Sequence, residues 1–486
     1  MAAAMVVFLC VHAGASLAED AGMPNPTVAP SAIKYDAARP ESLLPEQIAA
    51  EAFLVMEMGS GEILMERNSD VAMYPASTTK IMTALLALEY VANHLDAEQT
   101  VGTALNKQVT VSDSALDIEE DSSRAGFRAG DVISLRDALY GMMLPSGNEA
   151  ANVLAEYVSG SQAAFVDYMN GMASVLGMTN TNFVNANGLH DPNHYTTAQD
   201  MAKLAREAMR NTVFRQIVST VNYTTAQIGN RAPLNLHNSN RLIDNATTYF
   251  YPNATGIKTG NHSQAAYCLV AAAERNGINI LVVLLYSGYY SRWDDATRLF
   301  NYGFSQYASM TFQEVYAADP YLIQTISFAK DDERHGELEL AIEPQDITRA
   351  ARLTGRVSDV SALAENYRSL VSIEWTRGRQ PRAPILAGEV LGVLTFYTPT
   401  GEAFKFNLIS PRSVLAREDA PLTIEQIEEI VAENPFRFVG LTWDSVTPLA
   451  IIVVAAFALL RFLIRRIGGR RRDARQIPKP KQRGYR

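Results

Sequence analysis

The chain has 486 residues, which at roughly 150 residues per domain allows about three structural units; 48% hydrophobic against 19% charged residues exclude disorder, a collagen-like repeat and a coiled coil. The formal net charge of -10 is unevenly spread: residues 465–486 carry ten Lys or Arg and one Asp, a net of +9, so everything before them stands at -19. That acidity argues against a nucleic-acid groove in the main body, and no nucleic-acid partner is expected.

In chain order, residues 1–18 are apolar and end on the small residues of Ser16-Leu17-Ala18, the pattern of a secretory signal. Residues 19–48, rich in Pro and Ala, read as a tether. Apolar runs at 53–58 and 63–65 flank Gly59-Ser60-Gly61 and predict a β-hairpin. From 78 to about 90 the chain lacks Gly and Pro and is apolar nearly all round, which predicts a buried helix. Residues 134–215 read as mostly helical, with breaks at Pro145 and Gly147, at Gly160, and in a loop over 185–194. Strands return at 267–273 and 278–286, joined through Asn276-Gly277, a strong hairpin signal. Strands at both ends with helices between them predict an α+β domain over 49–310 with an antiparallel sheet.

Short alternating strands at 337–342, 370–375, 390–397 and 404–409 predict a small all-β domain over 311–415. Residues 416–445 read as a juxtamembrane linker carrying a helix over 423–433. Residues 446–464 are apolar but for Thr447, Pro448 and Arg461, long enough for one membrane crossing, and the basic tail 465–486 follows. The positive-inside bias then places the C-terminus in the cytoplasm and the bulk of the chain outside it, a single-pass membrane protein. Removal of the signal would leave Cys268 as the one cysteine, flanked by Tyr267 and Leu269 and read as a small buried hydrophobe.

Ser77-Thr78-Thr79-Lys80 opens the buried helix. A spacing of three puts a hydroxyl and an amine about one turn apart, where a neutral amine can take the serine proton. Alone the motif says little, since a chain of this length holds about one or two by chance. A helix break then carries Ser146-Gly147-Asn148, a second hydroxyl to relay a proton and an amide to orient a substrate backbone. Lys258-Thr259-Gly260 falls on a strand, where alternation puts Lys258 and Gly260 on one face. Lys258 offers positive charge to a carboxylate, and the bare Gly260 admits a close backbone. Each three-residue motif is expected about 0.1 times in such a chain, so their joint occurrence in this order is the signal.

The sequence resembles the serine D-alanyl-D-alanine carboxypeptidases among the low-molecular-weight penicillin-binding proteins. The likeness spans about 52–304 and includes Pro75-Ala76-Ser77-Thr78-Thr79-Lys80, Leu144-Pro145-Ser146-Gly147-Asn148-Glu149-Ala150, Phe183-Val184-Asn185 with Gly188-Leu189, His194-Tyr195-Thr196-Thr197-Ala198 and Gly256-Ile257-Lys258-Thr259-Gly260. The resemblance implies a β-lactamase/transpeptidase-like fold. It also implies acyl transfer from peptidoglycan stem peptides ending in D-Ala-D-Ala, with β-lactams as covalent inhibitors and no cofactor or metal. It further implies Ser77 as nucleophile, Lys80 as base, Ser146 and Lys258 as proton relay, the N–H groups of Ser77 and Asn261 as oxyanion hole, and Arg292 as a contact for the substrate carboxylate.

Two rival readings stay open at this point. Arg292 has a surface ion pair with Asp295 as its alternative. His262 stands where relatives carry a Thr hydroxyl, and is expected either to replace that contact or to alter the terminal group accepted. His190 and His194 flank Pro192 and therefore lie in a loop rather than on one helix face, so no metal is expected there. A cross-link endopeptidase and a non-catalytic penicillin-binding scaffold are the competing functions. A class A β-lactamase is disfavoured because no Glu-x-x-Leu-Asn follows residue 148.

Overall fold

The computed structural model describes residues 35–95, 99–330, 334, 336–399 and 401–418. The expected signal, most of the tether, the helix at 423–433, the membrane span at 446–464 and the basic tail lie outside the described residues. Among the described residues no helix is long and apolar enough to cross a membrane.

A hairpin of β1 (Ala52–Glu57) and β2 (Glu62–Arg67) opens the fold, as the glycine-centred turn predicts. Helix α1 (Lys80–Asn93) follows, then α2 (Leu135–Met143), α3 (Asn148–Ser159), α4 (Gln162–Val175), α5 (Ala198–Ala208) and α6 (Thr212–Val218). The breaks carry their own punctuation. Gly160 ends α3 at φ 76°, and the Ser161 hydroxyl caps α4 by accepting the Ala164 N–H. Strands β3 (Ala254–His262), β4 (Ala266–Arg275) and β5 (Ile278–Ser287) return, and α7 (Ser291–Gln306) closes this part of the chain.

The five strands form one antiparallel sheet in the order β2-β1-β5-β4-β3. Its central strands are covered on both faces, which is why they read as continuous apolar runs rather than alternating ones. Leu54, Val270, Leu281 and Val283 face the core shared with α1 and its neighbours, whereas Phe53, Val55, Leu269 and Val282 face Trp293, Leu299 and Phe300 of α7. Strand β3 is an edge, and the turn leading into α1 packs against it. The expected α+β layout with an antiparallel sheet is thus observed.

Beyond α7 come β6 (Tyr307–Thr311), α8 (Phe312–Ala318), β7 (Ala341–Pro344), β8 (Arg352–Arg356), α9 (Val357–Glu365), β9 (Val371–Trp375), β10 (Val390–Tyr397) and β11 (Ala403–Ile409). Strands β7, β11, β10 and β9 make a four-stranded antiparallel sheet in that order, while β6 pairs with β8. Phe312 stacks on Phe396 at 4.3 Å beside Phe406 and Tyr367. Where the sequence predicts one strand over 337–342, the chain makes two short ones, Leu338–Glu339 pairing with Leu322–Ile323 and β7 pairing with β11. Pro344, lacking an N–H, sits at the end of β7 on the sheet edge. Helix α9 is an addition to what the sequence predicts.

Contacts divide the chain into two compact units. Among the described residues, one comprises 35–321 with Ala341–Gly378 and Val390–Ile409; the other comprises Leu322–Leu340, Arg379–Glu389 and 410–418. The second is tied within itself by bridges between Ser327 and Arg382, Ala329 and Ala416, and Ile385 and Val414.

Candidate active site

Ser77 lies in a 3-10 turn, Ala76–Thr79, that feeds directly into α1. Two glycines press on this turn. A Cβ on Gly188, whose φ is 84°, would stand 2.0 Å from the Ala76 carbonyl oxygen, and one on Gly260 would stand 2.9 Å from the Pro75 oxygen and 3.1 Å from the Ser77 nitrogen. Gly260 therefore lets β3 close on the backbone of the serine turn itself. Ala76 takes φ 48°, a left-handed conformation costly for a residue with a Cβ, and the two flanking segments hold it there.

Lys80 is fully buried, and its Nζ lies 2.8 Å from Ser77 Oγ, 2.6 Å from Asn148 Oδ1 and 2.6 Å from the Asn187 carbonyl oxygen. Burial chiefly, then the positive charge of Lys258, pushes the Lys80 amine well below its ordinary range, while Glu149 opposes the shift. A neutral amine has two N–H bonds and one lone pair. Asn148 Oδ1 and the Asn187 carbonyl can only accept, so they take both N–H bonds, and the lone pair is left for the Ser77 hydroxyl.

Asn148 opens α3, and its backbone N–H is donated to the Ser123 carbonyl. The next residue, Glu149, is completely buried, and its Oε1 accepts N–H groups from Ala125, Gly126 and Phe127 at 2.7, 2.8 and 3.3 Å. This carboxylate pins the 123–127 segment to the helix start that carries Asn148. Ser146 precedes them at φ 68°, and its buried Oγ makes no hydrogen bond among the described residues. A left-handed serine with an unpartnered buried hydroxyl is strained and leaves a polar atom unsatisfied within the protein.

On β3, Lys258 is buried, and its amine, donating to the Thr259 carbonyl at 2.9 Å, is lowered to about 7 by burial and then by Arg292. The Thr259 hydroxyl is 2.6 Å from that of Ser239, a residue the sequence does not single out. Asn261 is exposed and pairs with Tyr267 across the strands. Arg292, in the first turn of α7, is buried with Nε and Nη1 unpartnered, and it stacks on Tyr267 and Trp293 at 4.8 and 4.5 Å. It makes no ion pair with Asp295, which instead accepts the N–H groups of Ala49 and Ala50 at 3.0 and 3.1 Å. The structure thus joins Ser77, Lys80 and Asn148 by hydrogen bonds, adds Gly260 by contact and Lys258 by its charge, and leaves Ser146 Oγ unattached.

The Asn187 carbonyl is a site member without a sequence signature, because the contributing atom belongs to the backbone. His194 is explained structurally: its Nδ1 accepts the Val184 N–H at 3.1 Å, so Nε2 carries the proton donated to Thr79 Oγ1 at 2.8 Å. His262 Nδ1 accepts the Ala265 N–H, and its ring lies 5.2 Å from that of His190 and 6.1 Å from Tyr74. Burial lowers His262 to about 4, which makes it a neutral donor through Nε2 at ordinary pH. Cys268 is fully buried and its thiol pushed up to about 11, as befits a packing residue. Among the described residues no group of three His, Cys, Asp or Glu gathers to hold a metal.

The family model described as D-alanyl-D-alanine carboxypeptidase matches residues 37–287. The chain is 36% identical to the D-alanyl-D-alanine carboxypeptidase of Streptomyces sp. strain K15 over 269 residues, 53% of this chain and 88% of that one. It is 28% identical to the D-alanyl-D-alanine carboxypeptidase DacC of Escherichia coli K12, covering 82% and 88% of the two chains. The solved penicillin binding protein 5 of Haemophilus influenzae matches with a TM-score of 0.50 at 26% identity, covering 77% of this chain and all of that one. The family model's match over more than half of the chain, with a serine and a buried lysine hydrogen-bonded at the head of α1, places the chain in the D-alanyl-D-alanine carboxypeptidase family, as a serine hydrolase that removes the terminal D-alanine from peptidoglycan stem peptides.

Proposed function

We propose the following division of labour for that reaction. Ser77 Oγ gives its proton to Lys80 Nζ and attacks the carbonyl carbon between the two terminal D-alanines. The oxyanion is received by the N–H groups of Ser77 and Asn261. As the C–N bond breaks, the proton passes through Ser146 Oγ, with Lys258 beside it, to the leaving D-alanine nitrogen, and water then releases the acyl group from Ser77. Asn148 orients Lys80 and the substrate backbone, Thr259 and Gly260 shape the β3 side, and Arg292 receives the substrate carboxylate.

The observation that carries this reading is the environment of the Lys80 amine, with two obligate acceptors and the serine hydroxyl around one buried nitrogen. β-Lactams are expected to acylate the same serine. Residues 49–310 form the catalytic domain of this proposal and 311–415 a smaller β-rich domain, which carries helices α8 and α9 as well as the strands expected of it. Residues 1–18 supply a signal, 446–464 a single membrane span, and 465–486 a cytoplasmic tail, so that catalysis takes place on the bacterial cell surface side of the membrane. These terminal assignments are supported by hydropathy and charge alone.

D-alanine release from a pentapeptide ending in D-Ala-D-Ala, measured for the full chain and for Ser77→Ala, tests the reading. Release by the parent with loss of at least about 10³-fold in the variant is expected. Cleavage of a cross-linked dimer without release from the pentapeptide would make the chain an endopeptidase, and attachment of labelled penicillin to Ser77→Ala would remove Ser77 as nucleophile.

A further inference from the structure

Arg241 follows directly on the segment whose Ser239 touches Thr259, and its Nη2 donates to the Tyr289 hydroxyl at 2.8 Å. Its guanidinium lies 5.4 Å from the Tyr289 ring, and that of Arg292 lies 5.5 Å from the same ring. One tyrosine therefore carries two guanidinium groups. Among the described residues neither arginine forms an ion pair, although the body of the chain is acidic and carboxylates are plentiful. The two charges feel one another, and Lys258 feels Arg292. Two guanidinium groups held on one ring, with no carboxylate paired to either, cost free energy in the empty protein, a cost that an arriving anion reverses.

We infer that Arg241 is a second anchor for the terminal carboxylate of the substrate, gripping it from the solvent side while Arg292 reaches it from within the fold, so that Arg241 sets the preference for a free carboxylate over a capped terminus. Three features support it: the shared Tyr289, the half-buried position of Arg241 against the fully enclosed one of Arg292, and the unpartnered Nε and Nη1 of Arg292. Guanidinium groups suit this task because their planar fork matches a carboxylate. The inference rests on the serine peptidase reading and names a specificity determinant that this reading does not contain. Arg241 acts on binding and orientation and takes no part in proton transfer.

The test compares the second-order rate of acylation of the full chain in detergent by benzylpenicillin, which carries a free carboxylate, and by its methyl ester, which does not. Arg241→Gln keeps a donor for the Tyr289 hydroxyl but removes the charge. It is expected to slow acylation by the acid about tenfold or more and by the ester less than about twofold. Arg241→Lys, which keeps the charge but loses the planar fork, is expected to recover only part of the loss for the acid. Equal slowing of both compounds, or no slowing of either, overturns the inference, and a packing role for Arg241 predicts the equal result. Melting midpoints of both variants identify a folding defect, which would strike acid and ester alike. If the parent reacts with neither compound the serine assignment itself fails, and the carboxylate anchor falls with it.

Discussion

Lys258 and Lys80 are both buried amines, yet the proposed mechanism asks opposite things of them. Lys80 must be neutral to take a proton, whereas Lys258 must be charged to favour an anionic substrate. With Lys258 lowered to about 7, first by burial and then by Arg292, the free enzyme loses that charge as pH rises through about 7. The value of kcat/KM is therefore expected to fall on the alkaline side above about pH 7, and Arg292→Gln to move this limb upward while lowering the plateau. A kcat/KM profile with the same alkaline midpoint in both proteins would detach Lys258 from Arg292. The three motifs were legible in the sequence because side chains carry them. The Asn187 carbonyl and the left-handed φ of Ser146 were not, since backbone geometry leaves no residue type behind. Glu149 carries no signal of its own in the sequence, and only its three amide partners reveal it as the clamp beneath Asn148.

At the scale of elements, the serine turn is set by segments remote in sequence, the 185–189 loop and strand β3. Gly188→Ala would drive a methyl group into the Ala76 carbonyl from a backbone that already needs positive φ. Activity and penicillin labelling are expected to fall by about 10²-fold or more, as displacement of a catalytic group by about 1 Å costs. Wild-type labelling rates in Gly188→Ala would show that the turn does not depend on this contact. The elements were unevenly legible for physical reasons. Helix α1 and strands β4 and β5 are long apolar runs with clear ends. Helix α7 is weakly legible although Trp293, Ala296, Leu299, Phe300 and Phe304 recur at helical spacing, because Arg292, Asp294, Asp295 and Arg298 interrupt the apolar stripe in its first turns. Helix α9 buries only Val360, so its pattern carries little signal.

For the molecule as a whole, Asp295 joins the start of the sheet to α7 by holding the Ala49 and Ala50 amides from a buried position. Burial raises its carboxyl to about 6, against which the two N–H bonds act. An acid raised above its unfolded value binds its proton more tightly in the native state, so its contribution is largest below about pH 4 and is lost as pH rises through about 6. The loss is on the order of 3 kcal/mol. Asp295→Asn is expected to remove that slope from unfolding midpoints measured in denaturant between pH 4 and 7, and an unchanged slope would place the dependence elsewhere.

Gly188 and Gly260 meet the serine turn only when the loop at 185–189 and the last strand of the sheet have both arrived, more than a hundred residues after the nucleophile in the chain. Until then Ser77, the proposed nucleophile, is an ordinary alcohol. Covalent capture by a fluorescent β-lactam thus becomes a clock for maturation: it dates the moment at which distant parts of the polypeptide have closed on one another, and it counts finished molecules in a mixture where absorbance counts every chain.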